Sequence, residues 1–174
     1  MQQQLIVTII GSDQVGILSA LSNAVSQSGC NILDSRQAIY GQDLSLTMII
    51  EGESNAITKA ELQLPVVCQQ YDLLSIMKRT SQHHKQDLAV LADVEFAGLD
   101  AIGIIHKITT FFGSHNISIS AFRQNIFIEK SSQAKMLKGK MVVSLPQDTD
   151  VQSITIAFEH YLDELDLLGT ISPH

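Results

Sequence analysis

The chain is poor in positive charge. Only 11 of its 174 residues are Lys or Arg, against 18 that are Asp or Glu, so the formal net charge is −7. Most affinity for nucleic acids comes from basic side chains that neutralise phosphates. The sequence therefore argues against direct binding of DNA or RNA. The densest basic stretch, 78–85, has no interleaved Phe, Tyr or Trp to stack on bases, and we interpret it as a solvated linker.

Long apolar runs are absent as well. No stretch approaches the roughly 18 consecutive apolar residues that a membrane-spanning helix requires. The start, Met1-Gln2-Gln3-Gln4, lacks the basic region of a secretory signal. With 45% hydrophobic and 17% charged residues, the composition is typical of a soluble globular protein, and we expect it in the cytoplasm.

Residues that commonly hold metals or perform catalysis are scarce. The two cysteines, Cys30 and Cys68, do not form a CxxC pair, so we expect reduced, buried thiols and neither a disulfide nor a metal site. His83 and His84 are adjacent and would not face one metal ion from a regular element. P-loop, dinucleotide-binding, zinc-protease and nucleophile-elbow motifs are all missing. The sequence therefore predicts no catalytic residue, no metal, no cofactor, and a protein that is not an enzyme.

What the sequence does contain is a duplication. An apolar run, a glycine-containing turn, an amphipathic segment and an asparagine occur in order between Leu5 and Ile32, and the same order recurs from Leu88 to Ile117. Gly16 and Gly103 align 87 residues apart, which is half of the chain. An internal repeat of this length predicts two copies of one module. We place the first module at 1–80, a linker at 81–87 and the second module at 88–174.

Hydrophobic periodicity gives the first module six elements. Gly16 opens a helix and Gly29 ends it, a turn at 41–43 predicts a hairpin, and Pro65 either interrupts the later helix or begins another turn of it. The predicted elements are a central strand at 4–10 that is buried on both faces, the helix between the two glycines, strands at 31–40 and 44–51, a helix capped by Ser54 or Asn55, and a strand at 71–77.

The second module repeats this order. Its last helix has a continuous row of apolar residues along one face. Asp148 or Asp150 would cap the start of this helix, and Gly169 would end it. The predicted elements are a strand at 88–97, a helix at 102–114, hairpin strands at 116–128 and 138–145, the capped helix, and a short strand at 170–172.

The order strand, helix, strand, strand, helix, strand is that of a ferredoxin-like α+β fold. It predicts for each module an antiparallel four-stranded sheet with two helices on one face. This fold serves many functions and decides none of them. The motif Asp13-x-x-Gly16-Ile17, joined to Asn31-Ile32 at the start of the second strand, resembles the ACT domain family of regulatory modules that bind small molecules. The resemblance covers both modules, so the chain would be two ACT domains in tandem.

The glycine turn has a physical interpretation as an anion site. A glycine at a strand-to-helix turn lets the backbone approach a ligand, and the free amides of a helix start favour a carboxylate. We predict that Gly16, with the amides of Val15 and Ile17, binds the carboxylate of an amino acid. Asp13 and Asn31 could accept hydrogen bonds from its ammonium group.

The second module offers Asp100, Gly103, Ile104 and Asn116 as the equivalent residues. Gly103 precedes Asn116 by 13 residues, whereas 15 separate the first-module pair, so we expect two sites that differ. Val15 and Ile102 stand where the ACT family commonly has a proline. The resemblance also implies that ligands lie between two modules, and the opposite side of each pocket could come from another copy or chain.

Purely structural roles remain open for each first-module residue. Gly16 could only permit a tight turn, Asp13 could only cap the helix, and Asn31 could only satisfy backbone groups at a strand edge.

A narrower resemblance, to tandem ACT-domain regulators of glycine cleavage genes, implies a partner. Such a protein would sense an amino acid, glycine by resemblance, and repress transcription by binding a LysR-type DNA-binding activator. A homodimer is expected, because pairing would cover open sheet edges. The alternatives are a ligand-independent scaffold and a regulatory subunit of an amino-acid or one-carbon enzyme. The residues that carry the resemblance are 30–36, Gly41, Gly52, 54–58 and 72–80.

Overall fold

The computed structural model describes residues 2–80, 90–147 and 149–173. The chain divides into two compact units, Met1–His84 and Lys85–His174. The predicted linker at 81–87, with His83 and His84, lies outside the described residues. The predicted domain limits therefore stay a prediction.

The first unit has the predicted order of elements. Its sheet has the strand order β2-β3-β1-β4, and every neighbouring pair is antiparallel. The elements are β1 (Gln2–Ser12), α1 (Ile17–Gln27), β2 (Asn31–Tyr40), β3 (Asp43–Glu53), α2 (Ser54–Gln70) and β4 (Leu74–Thr80).

The second unit repeats the architecture. Its sheet has the order β6-β7-β5-β8, which is the same order with each strand replaced by its repeat. The elements are β5 (Leu91–Leu99), α3 (Ile104–Ser114), β6 (Ser118–Ile128), β7 (Lys135–Ser144), α4 (Val151–Asp163) and β8 (Leu167–Pro173). Two βαββαβ modules in tandem, predicted from the sequence, are confirmed.

Each module buries one face of its sheet under its two helices. In β1, Leu5, Val7 and Ile9 have no exposed area, whereas the alternate residues Ile6 and Thr8 stay half-buried. The sequence predicted that β1 is buried on both faces, and this is wrong, because helices cover only one face. The other face of each sheet, which we call the open face, carries no helix of its own module.

Two residues in left-handed backbone conformation end the helices where the sequence predicted other boundaries. Asp72, with φ 54°, follows α2, so β4 begins at Leu74 and not at Tyr71. Asp166, with φ 55°, follows α4, so Gly169 lies inside β8 and does not end the helix. Asparagine and aspartate tolerate this conformation better than other non-glycine residues.

The remaining differences are local. Pro65 lies inside an uninterrupted α2. Asp150 caps α4 by accepting a hydrogen bond from the Gln152 amide at 3.1 Å, while Asp148 lies outside the described residues. The predicted start of the fifth strand, Leu88, also lies outside them, and β5 begins at Leu91.

Candidate functional site

The first glycine turn opens α1 without a side-chain cap. Gly16 is the N-cap residue, with φ 95° and ψ −9°, and no side chain bonds to the first turn. A Cβ atom at Gly16 would meet nothing within 4 Å, so glycine is needed there for its backbone conformation and not for space. Asp13 therefore does not cap the helix, and that structural role is excluded.

The free backbone donors of this turn differ in part from the predicted ones. The Ile17 amide donates to the Gln14 carbonyl oxygen at 3.3 Å, and its side chain is buried in the core. Among the described residues, the amides of Gly16, Leu18 and Ser19 have no acceptor. The Ile17 amide is thus used within the turn, whereas the amides of Leu18 and Ser19 are ones that any helix start leaves unpaired. That the Val15 and Ile17 amides bind an anion stays a prediction.

Two hydrogen bonds hold the first turn in place. The Asp13 amide donates to the Gln42 carbonyl oxygen at 2.8 Å, which fastens the turn to the β2–β3 hairpin. The Gln14 side-chain amide donates to the Tyr71 carbonyl oxygen at 3.1 Å, at the end of α2. Sequence reasoning missed Gln14, because the Tyr71 carbonyl lies 57 residues away along the chain. A turn with two anchors holds its free amides in a fixed geometry without the proline that is common in the family.

The second glycine turn repeats this geometry with one anchor. Gly103, with φ 87°, caps α3, and the Asp100 amide donates to the Lys135 carbonyl oxygen at 2.9 Å. Ala101 occupies the place of Gln14 and has no side-chain donor. The Ile104 amide is again used within the turn, donating to the Ala101 carbonyl oxygen at 3.3 Å. The predicted role of Ile104 in ligand binding stays a prediction.

Asn116 does not correspond to Asn31. It has φ 56° and lies just after the α3 C-cap residue His115, where the first module has Gly29 with φ 84°. Both residues follow their turn glycine by 13 positions. The residue that matches Asn31 is Ser118, the first residue of β6. The predicted equivalence of the two asparagines is wrong, and the spacing difference that suggested unlike sites disappears with it.

Asn31 and Gly16 lie at opposite ends of the same module. Asn31 on β2 pairs with Glu51 on β3, and Glu51 in turn pairs with Gln4, near the start of β1. Gly16 follows the end of β1 at Ser12. Eight residues of strand separate Gln4 from Ser12, which corresponds to about 27 Å. The structure therefore does not bring Asp13 and Asn31 together within one module.

Asp13 and Asn31 also have no structural partner of their own. Both are exposed, and neither side chain forms a hydrogen bond with any described residue. The proposed structural role of Asn31, in satisfying backbone groups of the strand edge, is therefore not observed. Both polar groups are available to a molecule that approaches from outside the module.

Exposed aliphatic side chains lie in both turns and at the ends of neighbouring strands. Val15 and Ile102, at matching positions, are fully exposed, with relative accessibilities of 106% and 105%. Leu74 and Leu168 are 74% and 77% exposed at the matching ends of β4 and β8. Exposed apolar side chains at this end of each module are typical of a surface that a partner covers.

The described residues offer no competing chemistry. They contain no group of three or more His, Cys, Asp or Glu side chains placed to hold a metal ion. Cys30 and Cys68 are free and buried, as predicted, and burial raises the pKa of both thiols, which keeps them protonated and unreactive. No helix in the described part of the chain is both long and apolar enough to cross a membrane.

Comparison with known proteins gives concordant results. The family model of the ACT domain matches residues 3–78. A glycine cleavage system transcriptional repressor from Escherichia coli K12 is 30% identical over 171 residues, which is 98% of this chain and 90% of that protein. The repressor of the same name from Shigella flexneri matches equally well.

Solved structures agree with the sequence comparison. A protein described as a glycine cleavage system transcriptional repressor is 30% identical, covers 99% of this chain and 97% of its own, and has a TM-score of 0.76. A protein from Galdieria sulphuraria shares the fold with a TM-score of 0.79 at 18% identity, over 100% of this chain and 99% of its own.

Proposed function

Because this chain belongs to the ACT-domain family of glycine cleavage system transcriptional repressors, we propose that it is an amino-acid-responsive regulator of transcription. In this proposal it represses glycine cleavage genes in the cytoplasm by binding a LysR-type DNA-binding activator. It does not bind DNA itself. The net charge of −7 supports this form of repression, because an acidic protein repels the phosphate backbone.

The uncapped start of α1 is the observation that carries the proposal. The amides of Gly16, Leu18 and Ser19 have no acceptor among the described residues, and the first turn of α1 contains no acidic side chain that would repel an anion. Backbone donors at the positive end of a helix favour a carboxylate. Glycine, the expected effector, would place its carboxylate there.

The ammonium group of the ligand needs acceptors, and their positions argue for a shared pocket. Asp13 lies beside the amides, while Asn31 lies at the far end of the same module. Asp13 and Asn31 can contact one ligand only when the first module of another chain turns its Asn31 end toward the Gly16 turn of this chain. A homodimer would supply that arrangement, and the exposed Val15 would then become covered.

Ligand binding at such a shared site would also change the affinity for a partner. A ligand shared by two modules binds most tightly to the packing that brings both halves together, so it shifts the population toward that packing. Couplings of this kind are typically about 1–3 kcal/mol, enough to change partner affinity several-fold or more. The second turn, at Gly103, has the same free amides and one anchor fewer, and we assign it a weaker or differently selective site.

Titration calorimetry of the full chain with glycine tests the effector. We expect saturable binding of glycine to the wild type. Serine and alanine should bind with different affinities, because the turn contacts only the carboxylate and ammonium groups that all amino acids share. The opposite side of the pocket would then discriminate between side chains. Absence of heat and of any thermal shift with all three amino acids would exclude the sensing part.

The partner is tested separately. A purified LysR-type activator of glycine cleavage genes should be retained by the immobilised chain, while a DNA fragment from the same promoter alone should not. Retention that does not change with glycine would favour a ligand-independent scaffold over a sensor. Retention of the DNA fragment alone would contradict the proposed mechanism.

A further inference from the structure

The β6–β7 hairpin is strongly basic in an otherwise acidic chain. Residues 118–144 contain five basic side chains and one acidic side chain, Glu129, so this hairpin has a charge of +4 while the whole chain has −7. The five are Arg123, Lys130, Lys135, Lys138 and Lys140.

The matching hairpin of the first module has the opposite charge. Residues 31–53, which form β2 and β3, contain four acidic side chains and one basic side chain, Arg36, so their charge is −3. The four are Asp34, Asp43, Glu51 and Glu53. The two copies of one structural element have thus diverged to opposite charge.

Strand register shows how the open face of the second module became basic. Arg123 lies directly across from Lys140, and the corresponding pair in the first module is Arg36 across from Thr47. Lys138 lies across from Asn125, at a position that is Ser45 in the first module. Two hydroxyl side chains have therefore been replaced by lysines on the same face.

The carboxylate that neutralises the first arginine has no counterpart in the second module. Arg36 forms an ion pair with Asp34 at 3.5 Å, and Ala121 occupies the place of Asp34 beside Arg123. Lys140 bonds to Glu95 on the inner strand β5. Within the described part of the chain, Arg123 and Lys138 have no ion pair.

Arg123 and Lys140 repel each other, and Glu95 offsets this repulsion only at Lys140. Like charges directly opposite each other on neighbouring strands are destabilising, and Arg123 faces Lys140 across β6 and β7. The shallow pocket of about 340 Å³ between Arg123, Lys138 and Lys140 is open to solvent. Glu95 compensates Lys140, so Arg123 and Lys138 are the cations of this face without an ion pair, and they are suited to an anionic partner.

The outer strands of both hairpins carry exposed apolar residues as well. Tyr40 and Ile39 are 71% and 47% exposed on β2, and Phe127 and Ile128 are 44% and 60% exposed on β6. Both strands lie at a sheet edge. An exposed edge strand with apolar side chains favours pairing with another chain.

We propose that the basic hairpin 118–144 of one chain docks on the acidic hairpin 31–53 of a second copy. A twofold dimer forms this contact twice, because the first module of each copy meets the second module of the other. The inference rests on the homodimer of the proposed function and adds to it a contact separate from the one between Asn31 and the Gly16 turn. Nucleic acid is the less favoured occupant, since the complementary charge is present in the chain itself and the net charge of −7 opposes phosphates.

Charge reversal tests the docking in the full chain. In one variant Arg123→Glu, Lys130→Glu and Lys138→Glu change the charge of hairpin 118–144 from +4 to −2, so both hairpins are acidic. In the other, Asp34→Lys and Asp43→Lys change hairpin 31–53 from −3 to +1, so both are basic. The reversed cations have no ion pair to lose, and Asp34 loses only its exposed pair with Arg36, so the fold should be retained, which circular dichroism checks. A control variant, Lys59→Glu with Lys78→Glu and Lys107→Glu, makes the same change in net charge as the first variant but outside both hairpins.

Sedimentation velocity without amino acid or partner gives the readout. We expect the wild type and the control to dimerise, and each reversed variant to have a dissociation constant raised about tenfold or more. An equimolar mixture of the two reversed variants should recover dimers, because both contacts of the mixed dimer again join opposite charges. Dimers of the wild type should weaken as salt increases.

Three results would overturn the docking. A wild type that is monomeric at every concentration removes the dimer itself. Reversed variants that dimerise like the wild type, or a mixture that stays monomeric, show that the dimer uses another surface. These last two results leave amino-acid sensing intact, because calorimetry with glycine measures that function independently.

Discussion

Asn116 occupies in the second module the left-handed backbone position that Gly29 occupies in the first. Their φ angles are 56° and 84°, and the residue that follows each donates its amide back into the helix, Cys30 to Val25 at 3.2 Å and Ile117 to Phe112 at 2.9 Å. Both close the helix in the same way, and only glycine does so without a Cβ penalty. Asn116 is thus a helix-stop residue.

The substitution Asn116→Gly should stabilise the second module and leave ligand binding unchanged. Relief of the left-handed conformation should raise the free energy of unfolding by about 0.5–1 kcal/mol. Urea unfolding measures the first effect and calorimetry with glycine the second. The reverse change, Gly29→Asn, should destabilise the first module by a similar amount. A loss of glycine binding in Asn116→Gly would restore the ligand role that the sequence suggested for this residue.

The error over Asn116 shows where sequence reasoning reaches its limit. The repeat, the two turn glycines and the order of elements follow from local periodicity and were predicted. Asn31 was matched with Asn116 because both are asparagines. The backbone instead matches Asn116 with Gly29, because both have a positive φ, which Gly and Asn adopt more readily than other residues. The intervals from Gly16 to Asn31 and from Gly103 to Asn116 therefore compared positions that do not correspond. The difference in spacing that they suggested between the two sites is absent from the backbone.

Long-range contacts were the other part that could not be predicted. The anchoring of Gln14 to the Tyr71 carbonyl oxygen depends on where α2 ends, and that end is set by Asp72 in a left-handed conformation. The separation of Asp13 from Asn31 depends on strand register across β3. Both facts belong to tertiary structure, which local pattern does not encode.

A second prediction concerns the turn glycine itself. Gly16→Ala should weaken glycine binding strongly, because alanine at φ 95° shifts the turn and its free amides. Gly41→Ala is a matched control, since Gly41 has φ 66° and a Cβ there also meets nothing within 4 Å. Each variant should lose about 1–2 kcal/mol of stability. Calorimetry should separate them, with Gly41→Ala retaining the wild-type affinity.

Equal losses of affinity in Gly16→Ala and Gly41→Ala would mean that general destabilisation, or a shift of the Gln42 carbonyl oxygen next to Gly41, weakens binding, and not the conformation of Gly16. The same comparison with Gly103→Ala shows how much of the total signal comes from the second turn.

A third prediction concerns acid stability of the first module. Arg79 bonds both oxygens of Glu61, at 2.8 and 2.6 Å, and also reaches Gln3 and Thr58, so it links β4 with α2 and β1. The hydrogen bonds from Arg79 lower the pKa of Glu61. A lowered folded-state pKa stabilises the fold at pH values above the unfolded pKa, and this contribution is lost as the pH falls through the folded value.

Glu61→Gln should therefore be less stable than the wild type at neutral pH, and the difference should shrink in acid. Urea midpoints between about pH 3 and pH 6 measure the convergence. Glu53→Gln is the control, because Glu53 is exposed and has no ion pair among the described residues. A difference between wild type and Glu61→Gln that stays constant over this range would contradict the assignment.

The last prediction tests whether one ligand site draws on two chains. Asp13→Asn removes the charged acceptor beside the turn amides, and Asn31→Ala removes the acceptor at the far end of the module. Each variant alone should lose about tenfold or more in glycine affinity, because a hydrogen bond to a charged group contributes about 1.5–3 kcal/mol. In a mixed dimer, however, an intact Asp13 from one chain meets an intact Asn31 from the other, while the remaining site lacks both. Mixing the variants should therefore restore wild-type affinity at half of the first-module sites in each mixed dimer. If both acceptors of a site came from one chain, every first-module site would stay defective and mixing would restore nothing, so the stoichiometry of tight binding decides between the two arrangements.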